Sequence, residues 1–430
     1  ALEAALNAIV ERHEVLRTTY AADKGQPYQV IAEVVKQPLR VIDLRTASPL
    51  EREREARQIV EQQAAIPFDL AKDPMIRYLL IQVADEDHIL VLITHHIADD
   101  GWSTGVLWRD VAELYEATLA GKSSPLPQLK VQYADYAVWQ REWLQGEVLE
   151  QQVAYWRERL AGAPPVLVLP TDNVRPDKPT YQGSVHRFRL PVNLMEAVRS
   201  LSRQHGCTSF MTLLAGFKLL LLHYAKQTDI VLGTDLANRT TIQTESLVGF
   251  FVNLVALRTD LSGDPTFVEL LSRVRETALG AYTHQNVPFD KLVEELQPER
   301  SLSHNPIVQM LFVQQNTPRS EKSLPGLTSE PYPVESPSKF DFAVFVMETD
   351  QGLAGSWVYS TELFETATIA RMAGLYEVVL TKATAKPATR LSELLVILEV
   401  EDRTYRASQQ KELRQLGAQK LKTAKRRTLT

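Results

Sequence analysis

His95 and His96 are adjacent, and Asp99, Asp100 and Gly101 follow directly after Ile97-Ala98, so seven positions hold two imidazoles and two carboxylates. An imidazole titrating near its ordinary ~6.5 can take up or give back a proton near neutral pH. The stretch lies where an apolar strand ends and a helix begins. Side chains alternate along a strand, so only one of the two histidines can readily face a given cleft. Gly101 permits a tight turn and Ser103 is placed to cap the following helix. A metal centre is not expected, because a zinc site needs three or four ligands and His284 and His304 stand isolated. Nucleophilic catalysis fares no better: there is no Gly-x-Ser-x-Gly elbow, and Cys207 has only His205 nearby. A general-base or amine-positioning histidine remains, against the alternative that paired histidines at a strand end are surface or structural residues.

Several elements must position this stretch. Met75–Val83 and His88–Ile97 are rich in Ile, Val and Leu and flank Asp85-Glu86-Asp87, a hairpin pattern. Ser103–Ala120 reads as a helix with Leu107, Val111, Leu114 and Tyr115 on one side and Gly121 as its stop. Tyr133–Leu160 is also helical, and the stripe Tyr133, Tyr136, Trp139, Trp143 is expected to face a core. Residues 161–179 hold five prolines and read as a linker. Beyond it the order restarts: strand Ser184–Leu190, helices Asn193–His205 and Ser209–Ala225, strand Asp229–Asp235. The expected division is therefore a lobe over 1–160, a Pro-rich linker over 161–179, a second lobe over 180–403 and a tail over 404–430. Both lobes mix helix with strand, an α/β class, and two such lobes would place a cleft at their junction.

The 430 residues include 44% hydrophobic and 23% charged positions, ordinary globular usage that excludes disordered and fibrous classes. The net charge is −6, yet residues 404–430 carry eight Lys/Arg and one Glu, a net +7 that leaves −13 on residues 1–403. An acidic body with a basic appendage argues against a nucleic-acid binder, which usually has a basic fold. No apolar run approaches the ~18 residues of a membrane span, so no membrane association is expected. Cys207 is the only cysteine, which excludes an intrachain disulfide and makes a cytoplasmic location natural.

The filling of His-His-x-x-x-Asp-Gly by His95, His96, Asp100 and Gly101 resembles the signature of nonribosomal peptide synthetase condensation domains, members of the chloramphenicol acetyltransferase-like superfamily. Five further stretches resemble motifs of that family in order: Arg12-His13-Glu14-Val15-Leu16-Arg17-Thr18, Tyr133-Ala134-Asp135-Tyr136-Ala137-Val138-Trp139, Gly249-Phe250-Phe251-Val252-Asn253, His284-Gln285-Asn286-Val287-Pro288-Phe289-Asp290 and Arg300-Ser301-Leu302-Ser303-His304-Asn305-Pro306. The family's opening Ser-x-Ala-Gln-x-Arg motif is absent, which implies a natural unit beginning upstream of Ala1. Asp99 replaces the usual Ser before Asp-Gly, and Leu254 a common Thr.

The resemblance implies two acetyltransferase-like lobes in a V-shaped pseudo-dimer with a tunnel between them. It implies transfer of a donor acyl or peptidyl thioester to the amine of an acceptor aminoacyl thioester. It also implies no intrinsically bound cofactor; both substrates ride on 4'-phosphopantetheine arms of upstream donor and downstream acceptor carrier proteins, with neighbouring synthetase domains as further partners. His96, the second histidine, accepts the amine's proton, while His95 and Asp100 shape the loop and Gly101 positions substrate through its N–H. Arg239 is the implied ion-pair partner of Asp100. Trp102, Ser103, Phe250, Phe251 and Asn253 are implied substrate contacts, with Phe250–Asn253 forming a floor and Ser356–Phe364 a bridging segment. An epimerization relative is disfavoured because no Glu-Gly-His-Gly-Arg type segment occurs. A non-catalytic recruitment domain of the same fold tends to lose the motif that is intact here, and an ester-forming relative stays open.

Overall fold

The computed structural model describes residues 1–299, 301–315, 324–334 and 337–408. It is mixed α/β and divides into two compact units, the first comprising Ala1–Glu150 and Leu236–Asn253 together with residues 324–334, the second the rest. A division at a linear linker does not provide for Leu236–Asn253 joining the first unit. Hydrogen bonds from that segment to the His-motif loop, described below, hold it there, and sequence order alone carries no trace of them.

In the first unit α1 (Leu2–Arg12) precedes the hairpin β1 (Thr18–Asp23) and β2 (Gln26–Ile31). A three-stranded sheet follows in the order β3 (Arg40–Asp43), β4 (Ile76–Gln82), β5 (His88–Thr94), with α2 (Pro49–Ala65) between β3 and β4. The β4–β5 pair is antiparallel, Ile76 opposite Thr94, as the apolar runs around Asp85-Glu86-Asp87 predict. Then come α3 (Gly101–Leu119), α4 (Tyr133–Trp143) and α5 (Gly146–Leu160), whose first turns belong to this unit.

Leu6, Ile9 and Val10 of α1 pack in one cluster with Val106, Leu107, Val111 and Leu114 of α3, so the 3.6-residue stripes of both helices meet. Charged residues lock this pairing. Asp110, fully buried on α3, receives Arg12 Nε at 3.1 Å and Arg109 Nη2 at 2.7 Å, and His13 Nε2 lies 3.4 Å away. The Arg12-His13 motif is thus a clamp between the two helices. Burial lowers the His13 pKa, against the hydrogen bond and charge of Asp110, which raise it.

The aromatic stripe of Tyr133–Leu160 departs from expectation. A break at Leu144–Gln145 divides it into α4 and α5, and α4 has no buried residue. Trp139 and Trp143 stack at 5.5 Å yet are 44% and 37% exposed. Only Val153 and Trp156 of α5 are buried.

The second unit is built on a six-stranded mixed sheet in the order β6 (Gly183–Leu190), β11 (Gly352–Ser360), β10 (Phe342–Thr349), β9 (Met310–Gln314), β7 (Asp229–Leu236), β8 (Asn253–Asp260). Its helices are α6 (Val192–Gln204), α7 (Ser209–Ala225), α8 (Phe267–Thr283), α9 (Phe289–Leu296) and α10 (Thr366–Ala385). Fifteen consecutive residues of α7, Phe210–Tyr224, are buried, Lys218 included; its ammonium donates to Ile230 O at 3.1 Å and Leu257 O at 2.6 Å. Trp357 and Tyr359, expected in a bridging segment, are fully buried on β11, which pairs with β10 and β6. Helix continues over 391–408, and the rest of the basic tail lies outside the described residues. Among the described residues no single helix is long and apolar enough to cross a membrane.

Candidate active site

The strand β5 ends at Thr94 and α3 starts at Gly101, so His95–Asp100 form the connecting loop. The helix is capped by Asp100, whose Oδ1 accepts from Ser103 N at 2.8 Å. Ser103 is therefore the residue capped, not the cap. Its hydroxyl is committed elsewhere: it donates to Gly249 O at 2.8 Å and accepts from Gly249 N at 3.0 Å and Arg239 Nη2 at 2.7 Å.

Asp100 is 3% exposed, and its carboxylate is saturated. Oδ1 also receives Arg239 Nη2 at 3.2 Å, and Oδ2 accepts from Phe251 N at 2.9 Å and Val252 N at 3.2 Å. No lone pair is left for proton transfer to a substrate. Arg239 is equally enclosed. Its Nη1 donates to Leu247 O at 2.8 Å and to Thr244 O, and its guanidinium sits 4.1 Å from the Phe251 ring centroid. Burial lowers the Arg239 pKa and the Asp100 charge opposes that shift.

Arg239, Ser103 and Asp100 thereby sew the segment 236–253 onto the start of α3. Gly249 is required at the seam. A Cβ there would lie 2.3 Å from Tyr133 Cδ2, and Tyr133 Oη donates to Phe250 O at 2.9 Å. Gly249→Ala is expected to cost about 1–3 kcal/mol by overpacking; denaturant unfolding checks it, with a fall in the midpoint at unchanged slope expected.

The two histidines have opposite tautomers. Ile97 N donates to His95 Nδ1 at 3.0 Å, so that nitrogen is an acceptor, and the ring packs edge-on against Phe68 with centroids 5.6 Å apart. His96 Nδ1 lies 2.5 Å from the main-chain oxygen of Asp99. A carbonyl only accepts, so Nδ1 carries the proton and Nε2 of the neutral ring presents a lone pair. His96 is exposed, and Phe250, 39% exposed, meets its ring edge-on at 5.0 Å. Gly101 is exposed at the first position of α3.

The implied substrate contacts divide. Phe250 faces solvent beside His96, and Trp102 is half-buried with Nε1 donating to Glu245 O at 3.0 Å. Ser103, Phe251 and Asn253 are 0%, 2% and 7% exposed, so the expectation that they touch substrate gives way to a supporting role. Phe251 packs on Tyr133 and Tyr136, because alternation along 249–253 turns it inward while Phe250 turns outward. Arg300, in the last motif, lies outside the described residues.

Asp99, the departure from the usual Ser before Asp-Gly, was given no role by the sequence. Burial pushes its carboxyl up from the ordinary 3.8 to about 6, opposed by the hydroxyls of Thr94 and Thr104 and assisted by the charge of Asp100. Between those two values the folded protein holds a proton that the unfolded chain has released, so stability falls as pH rises from about 4 to 6. Asp99→Asn removes that fall. Above pH 6 the variant is expected to exceed wild type by about 1–2 kcal/mol in unfolding free energy, and the difference closes below pH 4; urea unfolding across that range measures it.

The family model for the Condensation domain matches residues 1–405. Two proteins of the linear gramicidin synthase of Brevibacillus parabrevis are each 44% identical to this chain, over 404 and 405 residues. The matches cover 93% and 94% of this chain but 5% and 8% of those proteins. The chain thus spans less than a tenth of the length of these relatives. Among solved structures, the X-domain from teicoplanin biosynthesis superposes with a TM-score of 0.82 at 31% identity, covering 91% of this chain and 88% of that one. A holo four-domain nonribosomal peptide synthetase bound to AMP and glycine gives 0.79 at 25% identity, covering 90% of this chain and 30% of that one. The matched family model, the synthetase relatives and the ordered loop carrying His96 lead to one conclusion: the chain belongs to the condensation domain family of nonribosomal peptide synthetases.

Proposed function

We propose that this chain forms amide bonds, transferring an acyl or peptidyl group from a donor carrier's phosphopantetheine thioester to the amine of an acceptor aminoacyl thioester. The observation that carries the reading is the placement of His96, an exposed imidazole whose Nδ1 lies 2.5 Å from Asp99 O, which leaves Nε2 as the acceptor. The attacking nitrogen forms a C–N bond at the thioester carbonyl while the C–S bond breaks. The amine proton passes to Nε2 and then to the departing sulfur, giving an amide and a free pantetheine thiol. A thioester is already activated, so alignment of two tethered reactants supplies much of the acceleration and the base need only be well placed. Upstream and downstream carrier proteins and neighbouring synthetase domains are the partners of this reading.

A recruitment role is the second reading. One observation favours it: an X-domain from teicoplanin biosynthesis, 32% identical and with a TM-score of 0.81, was solved in complex with OxyB. Incubating the chain with a loaded donor carrier and a loaded acceptor carrier, and weighing both carriers by intact-protein mass spectrometry, separates the two. Donor mass moving to the acceptor supports amide formation. Carrier binding without transfer supports recruitment.

A further inference from the structure

The proton that must be kept off His96 Nε2 is held on the other nitrogen by one main-chain oxygen, and that oxygen is as fixed as the residue bearing it. Asp99 lies in the turn between β5 and α3, one residue after the bond Ala98 N→His95 O at 2.9 Å and one before Asp100, whose carbonyl accepts from Thr104 N at 3.0 Å. Its side chain adds bonds of its own. Oδ2 accepts from Thr94 Oγ1 at 2.8 Å, the last residue of β5, and from Thr104 Oγ1 at 3.3 Å, in the first turn of α3. One carboxylate oxygen thus ties strand end to helix start and leaves the Asp99 carbonyl directed at the imidazole. Oδ1 is buried with no hydrogen-bond partner among the described residues. A buried carboxylate left half unsatisfied lowers stability, so packing does not account for an acid at this position.

We infer that Asp99 is a positioning residue for the reaction: clamped by Thr94 and Thr104, it holds its own carbonyl on His96 Nδ1 and so keeps Nε2 free for the proton of the attacking amine. The inference rests on the reading of His96 as the proton acceptor. The charged and titratable groups facing the Asp99 carboxyl are Asp100, at the start of α3, and His96, in the same loop.

The test is 15N NMR of the whole chain labelled at histidine, with the His96 ring signals assigned by their loss in His96→Gln, beside the rate of chain transfer against pH. At pH 7.5 wild type should show His96 protonated at Nδ1. Asp99→Ala should move the proton toward Nε2 and lower the transfer rate about tenfold. Asp99→Asn, which keeps an acceptor oxygen for both hydroxyls, should retain the tautomer and most of the transfer rate. Should Asp99→Ala fail to fold, Thr94→Val removes the shorter clamp bond and carries the same expectation for the tautomer. An unchanged tautomer in folded Asp99→Ala, or in Thr94→Val if the first does not fold, overturns the inference. A wild-type chain with the Nδ1–H tautomer but no transfer contradicts the proposed function and leaves the positioning of His96 by Asp99 standing.

Discussion

Asp100→Ala is expected to lower the unfolding free energy by about 3–5 kcal/mol, the range for breaking a buried pair from one side, and to abolish chain transfer. The variant leaves Arg239, itself 2% exposed at the side chain, without its counter-charge. It also orphans three main-chain donors, Ser103 N, Phe251 N and Val252 N. Each buried donor without a partner costs about 1–3 kcal/mol in its own right. Removing Arg239 as well separates these effects. Asp100→Ala/Arg239→Met should recover part of the lost stability, because the uncompensated guanidinium is gone, while activity stays lost, because the loop bearing His96 has lost its anchor to 249–252. Urea unfolding of the two single variants and the double variant gives the coupling energy, which is expected to be favourable and above about 0.5 kcal/mol for groups in direct contact. Additive single effects would mean that the main-chain bonds alone carry the role of Asp100.

His96→Ala has the other large effect, and it separates activity from stability. The side chain is exposed, and among the described residues its one hydrogen bond is local, to Asp99 O. The unfolding free energy should therefore change by no more than about 0.5 kcal/mol, as at other surface positions. The transfer rate should fall by about 10²–10⁴, the usual worth of a positioned acid–base group. Alignment of the two thioester-bound reactants survives in the variant, so a measurable residue of the acceleration should remain.

The helices and strands were legible in the sequence wherever a strong pattern met a strong stop. Ser209–Ala225 has the bounds its apolar run indicates, and the β4–β5 hairpin turns at the acidic cluster as the apolar runs on either side indicate. The stripe Tyr133, Tyr136, Trp139, Trp143 shows the limit of periodicity. A 3.6-residue repeat fixes which side chains share a face but not whether anything covers that face. Motif spacing singled out His95, His96, Asp100 and Gly101, and the family resemblance named Arg239 as the partner of Asp100, with which it pairs at 3.2 Å.

Roles within the loop were less legible. The capping position moved from Ser103 to Asp100 because Asp, Ser and Asn all cap well, and the choice depends on where the first helical turn begins. Phe250 and Phe251 are chemically identical, and only the alternation of the chain after Gly249 decides which one faces outward. Above all, the tautomer of His96 depends on a carbonyl three residues away. Every residue has a carbonyl, so the sequence carries no mark of the one that matters.

The most direct measurement is single-turnover transfer between loaded donor and acceptor carriers at neutral pH, followed by intact-protein mass spectrometry, for wild type and His96→Ala side by side. Wild type should move the donor mass rapidly onto the acceptor carrier, and a correctly folded His96→Ala should do so at a rate about 10²–10⁴ lower. Equal rates for the two proteins would contradict the role of His96 as the proton acceptor.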